Sequence, residues 1–483
     1  MKKNIKRWFA VLFSLFLCLT AACGSPKGET IEGKYVLLSA EKNGKSVLSD
    51  FQLYTVEFEE NGGMTVKISY LGLLQSRRSV YTYNGSVVTE KFKDETYEYR
   101  VHSDGTMTTD MVDFEETVKI VLQKETKDDV PQSVDFEGIL FGEDMSETKF
   151  YNYCPAVIAD TEDGREVLHI WYCTNLDDGV IVDYIGYRKG VKQEDGKWLF
   201  SEQSIALSPT AGTWDARHTC DPAVIKGEFA YKGETYTYLM AYLGCVTDDY
   251  NRNETGLAVA KSAAGPWTKL DDLNPIVPWY DNKTDDINPE QWGTGMPTLT
   301  SVDGKGEVIL TYQSSSRGTA GIQRWDFSDL DHPERKFTSD LMHNGIVNSQ
   351  GIKCSAGIVD FAFDPVRGRL YVFGVTNERN PADVTKTLVN SHCVLAYVDG
   401  LADMEAVSAA LQSGSYTWNI AGYVGPNTTG FERNHNPAIV RDGRGYIPDS
   451  GRIGVVVSTG HNSWDNENIF TYRLYGAVFD IAD

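Results

Sequence analysis

The chain has 483 residues, of which 45 are lysine or arginine and 68 are aspartate or glutamate, so its formal net charge is −23. Such an acidic balance argues against nucleic acid or an anionic lipid surface as a partner. It suits a protein that handles neutral ligands, and the length allows two or three domains.

The N-terminus has the layout of an export signal. A basic segment at residues 2–7 precedes an apolar run at residues 8–19, which is too short for a membrane-spanning helix. Small residues then lead to Cys23, and this arrangement resembles the lipobox cut by the lipoprotein signal peptidase, although Thr20 stands where leucine is usual. We therefore expect residues 1–22 to be a lipoprotein signal peptide and residues 23–30 to be a flexible tether.

Cys23 is then the lipid attachment site. Its two acyl chains are enough for stable anchoring, so we expect a cell-membrane protein on the extracytoplasmic face that meets the membrane through this anchor only. The alternative is a plain secretory signal in which Cys23 is incidental.

Residues 31–124 predict a small antiparallel β domain. Apolar and polar residues alternate over residues 54–58 and 64–70, and turn signals stand at Asn84-Gly85 and Asp104-Gly105. Short strands, tight turns and no helical period favour a barrel or a sandwich. The segment resembles the small lipocalin-like barrels of many bacterial lipoproteins.

Residues 134–483 contain a unit that recurs five times, roughly every 70 residues. Each copy holds two apolar strands separated by a turn, and a polar tail that leaves room for two more strands. Because a propeller blade needs four strands, five copies predict a five-bladed β-propeller. Two stacked all-β domains are the alternative. The residues that open the copies are Cys154, Asp221, Met296, Asp360 and Asn436.

The second copy carries a family resemblance. It reads Asp-Pro-Ala-Val-Ile at residues 221–225, then an apolar strand to Tyr242, then Gly265-Pro266-Trp267. This pattern resembles the five-bladed propellers of the arabinanase and β-xylosidase clan, broadly glycoside hydrolase family 43, over most of residues 145–483. The resemblance implies a base aspartate in the first blade, a second aspartate in the second and an acid glutamate in the third. Only Asp221 transfers, because Cys154 and Met296 stand at the other two positions.

Glycoside hydrolysis needs two carboxylates. The sequence offers other acidic residues in loops near the predicted funnel, the opening of the propeller axis at which the inner strands begin. We expect Asp221 to be catalytic, with Asp215, Glu290 and Asp360 as candidates for the acid and the base. Aromatic and charged side chains in the same loops suit sugar recognition. These predicted substrate-binding residues are Trp214, Arg217, His218, Trp292, Arg433 and His435.

No cofactor is certain from the sequence. In the clan, a histidine near the axis often helps to hold a hydrated calcium ion, so the resemblance implies a structural calcium on the propeller axis near His435 or His461. The alternative is that each of these histidines has a structural role, with its hydrogen bonds made within the protein.

The six cysteines beyond the signal and the anchor are too sparse for a disulfide scaffold and lack zinc-finger spacing. Cys154 with Cys220, or Cys173 with Cys245, would pair by repeat position, and free buried thiols are equally expected.

Two functions remain open from the sequence. One is a surface-anchored glycoside hydrolase that cuts O-glycosidic bonds of extracellular oligo- or polysaccharide containing arabinose or xylose. The other is a catalytically inactive propeller that binds glycans. Whether a hydrolase of this kind would retain or invert configuration does not follow from the residues.

Overall fold

The computed structural model divides into two compact units, Met1–Asp129 and Val130–Asp483. The described residues of both units form mainly β-strands. Among the described residues, no helix has the length and apolar character needed to cross a membrane. The residues that the structure describes are 31, 33–47, 51–58, 63–70, 73–93, 95–113, 116–124, 133–141, 149–177, 179–248, 251–281, 291–317, 319–380, 383–448, 451–461 and 466–481.

The first unit is an antiparallel barrel in which each long strand pairs with the next. The ring closes because its first long strand also pairs with its last, Val36 opposite Gln123. The strands are β1 (Gly33–Lys42), β2 (Lys45–Ser46), β3 (Phe51–Phe58), β4 (Gly63–Tyr70), β5 (Leu73–Tyr83), β6 (Val87–Phe92), β7 (Glu95–Val101), β8 (Thr106–Asp113) and β9 (Glu116–Lys124). Among the described residues the short β2 pairs only with β1, so eight strands form the barrel. The prediction of a small antiparallel barrel or sandwich is confirmed, and the structure selects the barrel.

The alternating sequence explains the barrel wall. Val56 and Val66 are opposite each other on β3 and β4 and are fully buried, whereas Glu57 between the buried positions is exposed. The tight turns use glycines with positive φ, 89° at Gly85 and 85° at Gly105, as their Asn-Gly and Asp-Gly pairs predict.

The barrel interior also holds a buried ion pair. Arg77 donates to both carboxylate oxygens of Glu90 at 2.8 and 2.9 Å, and the Tyr99 hydroxyl donates to the same carboxylate at 2.8 Å. Glu90 is fully buried. Burial alone would raise the pKa of Glu90, but hydrogen bonds from Arg77, Ser79 and Tyr99 hold it below its ordinary value.

The second unit is a five-bladed propeller, as predicted. Its sheets follow one another along the chain, and each runs outward from an innermost strand. Blade I contains β11 (Asn152–Glu162), β12 (Arg165–Thr174), β13 (Tyr184–Lys192), β14 (Trp198–Phe200) and β15 (Ser204–Leu207). Blade II contains β16 (His218–Tyr231), β17 (Glu234–Cys245), β18 (Glu254–Ala260) and β19 (Thr268–Lys269). Blade III contains β20 (Thr294–Ser301), β21 (Glu307–Ser314), β22 (Thr319–Asp326) and β23 (Glu334–Asp340).

Blade IV carries the ten-residue helix α1 (Met404–Ser413) between its third and fourth strands, and the short helix α2 (Pro426–Thr429) follows it. Its strands are β24 (Val359–Asp364), β25 (Arg369–Asn380), β26 (Asp383–Val398) and β27 (Asn419–Val424). Blade V contains β28 (Arg433–Ile439), β29 (Arg452–Gly460) and β30 (Arg473–Asp480), with a 3-10 helix at Asn466–Thr471 before the last of these.

The ring is closed by a strand from the start of the unit. The fourth strand of blade V is β10 (Gly138–Phe141), which pairs with β30 through Ile139 opposite Tyr475. The chain passes close to blade V here, because a Cβ at Gly476 would lie 2.1 Å from the Phe136 carbonyl oxygen. Both ends of the unit therefore contribute to one sheet, and the propeller has no open seam.

Each inner strand is buried on both faces. In blade II, Ala223 and Ile225 pack toward blade III, whereas Val224 between them packs toward blade I. Alternate residues thus serve two different inter-blade cores, which is why the repeated strand reads as a continuous apolar run instead of an alternating one.

Candidate functional site

The five residues that open the repeat copies meet on the propeller axis. Cys154, Asp221, Met296, Asp360 and Asn436 line one small cavity, as the repeat pattern predicts. The cavity has a volume of about 30 Å³, which is room for about two water molecules. A sugar ring therefore does not fit inside the ring of five, and a glycan would have to bind above it, in the funnel.

Backbone geometry explains the convergence. Four of the five residues have a φ between 47° and 49° and precede a proline, and a register shift follows each of them in the ladder to the second strand. A left-handed φ costs a non-glycine residue on the order of 1 kcal/mol or more, so four repetitions of it indicate a conformation fixed by the surrounding blades. Asp360 is the exception, since Phe361 follows it and its ladder is regular.

Asp221 is the axial carboxylate that is not paired with a cation among the described residues. Its Oδ2 accepts a hydrogen bond from the Met296 backbone N–H at 3.1 Å, and Cys220 Sγ lies 3.3 Å from its Oδ1. Burial is the largest cause of a pKa of about 6 for Asp221, above its ordinary value. Hydrogen bonds from Cys154 and from the Met296 N–H lower this pKa, whereas the negative charge of Asp183 raises it.

Asp360 also lines the axis, but its carboxylate is committed to the fold. Arg441 lies 3.0 Å from its Oδ1, Thr298 donates to the same oxygen at 2.8 Å, and the Ile439 N–H donates to Oδ2 at 2.8 Å. The carboxylate therefore ties blades III, IV and V together. Buried Arg441 requires Asp360 as a counterion, so this geometry gives the carboxylate a structural role, and its role as an acid or base stays a prediction.

Unlike Asp360, Asp215 does not line the axial cavity, contrary to its expected place near the funnel. It is buried within blade II, where it pairs with Lys269 on the outermost strand and accepts from the Tyr242 hydroxyl at 3.0 Å. Its neighbour Trp214 packs on Tyr242 with ring centroids 5.4 Å apart. A Cβ at Gly244 would lie 2.2 Å from the Trp214 ring, so this half-buried indole packs closely against the strands of blade II.

The fourth predicted catalytic residue, Glu290, lies outside the described residues. Arg217 pairs with Asp248. Trp292 packs against a group of buried residues that contains Leu243, Cys154 and three further cysteines of blades I and II.

His435 and Arg433 stand on the strand that carries Asn436 to the axis. The His435 ring contacts the Tyr472 ring edge-on at 4.6 Å, and the Arg433 guanidinium lies 5.3 Å from the centroid of the same ring. Burial lowers the pKa of His435 to about 3, so this side chain is neutral at physiological pH. Its Nε2 has no hydrogen-bond partner among the described residues.

His461 is not on the axis. Its exposed ring pairs with Glu432 at 3.3 Å, which corrects its prediction as an axial metal ligand.

Sequence reasoning missed a buried carboxylate, Asp183. It accepts hydrogen bonds from the Tyr151 hydroxyl at 2.7 Å and the Tyr153 hydroxyl at 3.0 Å, and His218 Nδ1 lies 2.8 Å from it. His218 was predicted to bind substrate, but here it is buried against this carboxylate. Asp183 lies in the loop before β13, where the sequence shows only an ordinary acidic residue before a strand.

One disulfide joins Cys173, at the end of β12, to Cys220 on β16. The pairings expected from repeat position, Cys154 with Cys220 and Cys173 with Cys245, are therefore wrong. Cys154 and Cys245 are instead buried cysteines outside this disulfide. The bond connects blades I and II beside Asp221, because the end of one blade's second strand lies next to the start of the next blade's first strand.

The axial donors do not suit calcium. Calcium takes six to eight oxygen ligands. The opening residues offer a thiol, a thioether, an amide and two carboxylates, and one of these carboxylates is paired with Arg441.

No protein-family model matches the sequence, and no match was found among curated proteins. Solved structures with a similar course of the chain include a thermostable family-43 glycoside hydrolase, 13% identical, covering 69% of this chain and 91% of that chain with a TM-score of 0.40. An endo-arabinase from Bacteroides thetaiotaomicron is 13% identical, with 69% and 95% covered and a TM-score of 0.35.

A third is a β-xylosidase/α-arabinofuranosidase from a compost microbial metagenome, in complex with xylotriose and in a calcium-free form. It is 13% identical, with 72% and 95% covered and a TM-score of 0.40. The propeller assignment rests on the strand topology above and not on these likenesses.

Proposed function

We propose that this chain is a glycoside hydrolase that acts on arabinose- or xylose-containing polysaccharide bound in the funnel above the axial ring. The observation that carries the proposal is Asp221, a carboxylate at the opening of an inner strand that lines the axis without a cationic partner among the described residues. The other axial carboxylate, Asp360, is neutralised by Arg441.

Hydrolysis of a glycoside requires a second carboxylate across the scissile bond. Our candidate is Glu290, which precedes β20 in the sequence and lies outside the described residues. In this mechanism one carboxyl group protonates the leaving oxygen while the other attacks or activates water.

The test is turnover of aryl-arabinosides, aryl-xylosides and plant polysaccharides. Asp221→Asn is nearly isosteric, so the fold should persist while the rate falls about 10²–10⁴-fold. Glu290→Gln should show a loss of the same order. Asp195→Asn, in an exposed turn of blade I, is the matched control and should keep the wild-type rate. Wild-type turnover in both Asp221→Asn and Glu290→Gln would place the chemistry elsewhere.

A second candidate function is glycan binding without turnover. It is favoured by Cys154 and Met296, which stand where the resemblance expects carboxylates. A binder would show no turnover on any of these substrates, but it would bind oligosaccharide in calorimetry. Asp221→Asn should then weaken affinity by roughly 1–3 kcal/mol, the cost of leaving a buried polar partner unmatched.

We also propose that the mature chain is held on the extracytoplasmic face of the cell membrane by lipid on Cys23. This residue and the signal before it lie outside the described residues, so the sequence pattern alone supports the proposal. Cells grown with a tagged palmitate should label the wild-type protein and not the Cys23→Ala variant, which should be unprocessed or released. Equal labelling of the two proteins would refute the anchor.

A further inference from the structure

Three sulfur atoms and one carboxylate converge between blades I and II. One ligand atom from each of Cys154, Cys173, Cys220 and Asp221 lies within 4.8 Å of all the others. All four residues are buried, and each stands on a strand of the propeller. Side chains on packed strands keep their relative positions better than side chains on loops, so the cluster is preorganised.

The repeat itself builds this cluster. Cys154 and Asp221 hold equivalent positions in consecutive inner strands, and both have the left-handed φ of that position. The Cys154 N–H donates to Ser458 Oγ at 2.9 Å, which fixes the cysteine from blade V. Cys173 adds a second donor from blade I, and Cys220 adds a second donor from blade II.

The donors have the chemistry of a zinc site. Zinc prefers four ligands in a tetrahedron and binds cysteine sulfur at about 2.3 Å, which separates the sulfurs by roughly 3.8 Å. That separation lies within the 4.8 Å span of this cluster. Thiolate ligands select zinc and other soft ions over magnesium and calcium.

A second group of metal-type side chains gives a useful contrast. Asp160, Glu162 and His169 also lie within 4.8 Å of one another. Lys226 pairs with Asp160 and Lys189 pairs with Glu162, so lysines already neutralise both carboxylates. Among the described residues no lysine or arginine pairs with Asp221, and the axial cluster alone combines soft donors with an unneutralised charge.

We propose that the chain, once its Cys173–Cys220 disulfide is reduced, binds one zinc ion through Cys154, Cys173, Cys220 and Asp221. In the oxidised chain two of the four donors are consumed by the S–S bond. A dithiol reductant transfers two electrons and two protons, which breaks this bond, gives two thiols and leaves the reductant as a cyclic disulfide. Zinc then binds three thiolates and the carboxylate, and the three thiol protons go to solvent. The site thus exchanges a disulfide for a metal, whether or not the chain hydrolyses glycans.

The test is zinc binding by the full-length protein before and after treatment with a dithiol reductant. After removal of the reductant under anaerobic conditions, the reduced protein should retain one zinc per chain by elemental analysis, and the oxidised protein should retain none. Cobalt in place of zinc should give the visible bands of a tetrahedral site and the near-ultraviolet bands of sulfur ligation.

Cys154→Ser tests the assignment most sharply, because this variant keeps the disulfide and can fold in its oxidised form. After reduction it should bind zinc at least about tenfold more weakly than the wild type. The matched control is Cys393→Ser, a buried free cysteine of blade IV outside the cluster, which should bind like the wild type. No zinc on the reduced wild-type protein, or equal affinity in Cys154→Ser, would overturn the proposal; far-ultraviolet circular dichroism would show that the reduced chains are folded.

Discussion

At the scale of single residues, the position of a side chain on the propeller axis does not determine its role. The five opening residues reach the axis through the repeated backbone, but what each can do depends on partners from other blades. Asp360 meets Arg441, whereas Asp221 meets a backbone N–H and a group of sulfurs. One carboxylate is therefore a structural counterion, and the other is available for a ligand or a metal.

The Asp360–Arg441 pair leads to a stability prediction. The side chains are 10% and 2% exposed, so Asp360→Asn would leave a buried guanidinium without its counterion. Such a loss typically costs roughly 3–5 kcal/mol. Urea unfolding should show this decrease in the free energy of unfolding.

The double variant Asp360→Asn with Arg441→Met should recover a large part of the loss, because it removes the unpaired charge. A single variant as stable as the wild type would mean that the pair does not hold the blades together.

Only part of the axial site could be predicted from the sequence. The strand-opening prolines identify four of the five axial positions, since Pro follows each left-handed residue and marks the bulge. No residue near Asp360 in the sequence indicates that Arg441 is its ion-pair partner, because Arg441 comes from another blade. Asp215 was misplaced for the same reason, as its partner Lys269 stands on the outermost strand of the blade.

At the scale of elements, the strand that closes the ring was absent from the sequence-based prediction. The repeat unit begins at Cys154, and β10 precedes it with only four residues and no repeat pattern. Its partner is the last strand of the chain, so pairing could not be inferred from local signals. The five repeated units were predictable because each inner strand is buried on both faces, which leaves a strong apolar signature.

The closing strand should contribute strongly to stability through Leu140. This side chain is 1% exposed and packs in the core between blades V and I. Leu140→Ala should lower the free energy of unfolding by about 2–5 kcal/mol, as expected for loss of a buried leucine side chain.

Val366→Ala, at a position 75% exposed, is the control and should change stability by less than about 0.5 kcal/mol. Equal unfolding midpoints in urea for the two variants would contradict closure by β10.

At the scale of the whole molecule, the two units have separate cores. Among the described residues, the barrel core is formed by side chains between Ile31 and Leu122, and every long strand of the closed ring has two neighbours. We therefore expect residues 31–124 to fold without the propeller. A fragment with that span should show a β-type circular dichroism spectrum and a cooperative thermal transition.

The stability of that barrel should depend on pH through Glu90. The folded pKa of Glu90 is lower than its ordinary value of 4.5, so the unfolded chain binds its proton more readily than the folded barrel does. The stabilising contribution is therefore complete above about pH 4.5, and it is lost as the pH falls through the lowered folded value. Thermal unfolding of the fragment between pH 7 and pH 2 should show a falling midpoint below pH 4.5.

In Glu90→Gln the barrel should be less stable at pH 7, because Arg77 loses its counterion, and its midpoint should depend less on pH over the same range. A pH profile identical to that of the wild type would show that Glu90 is not the group responsible.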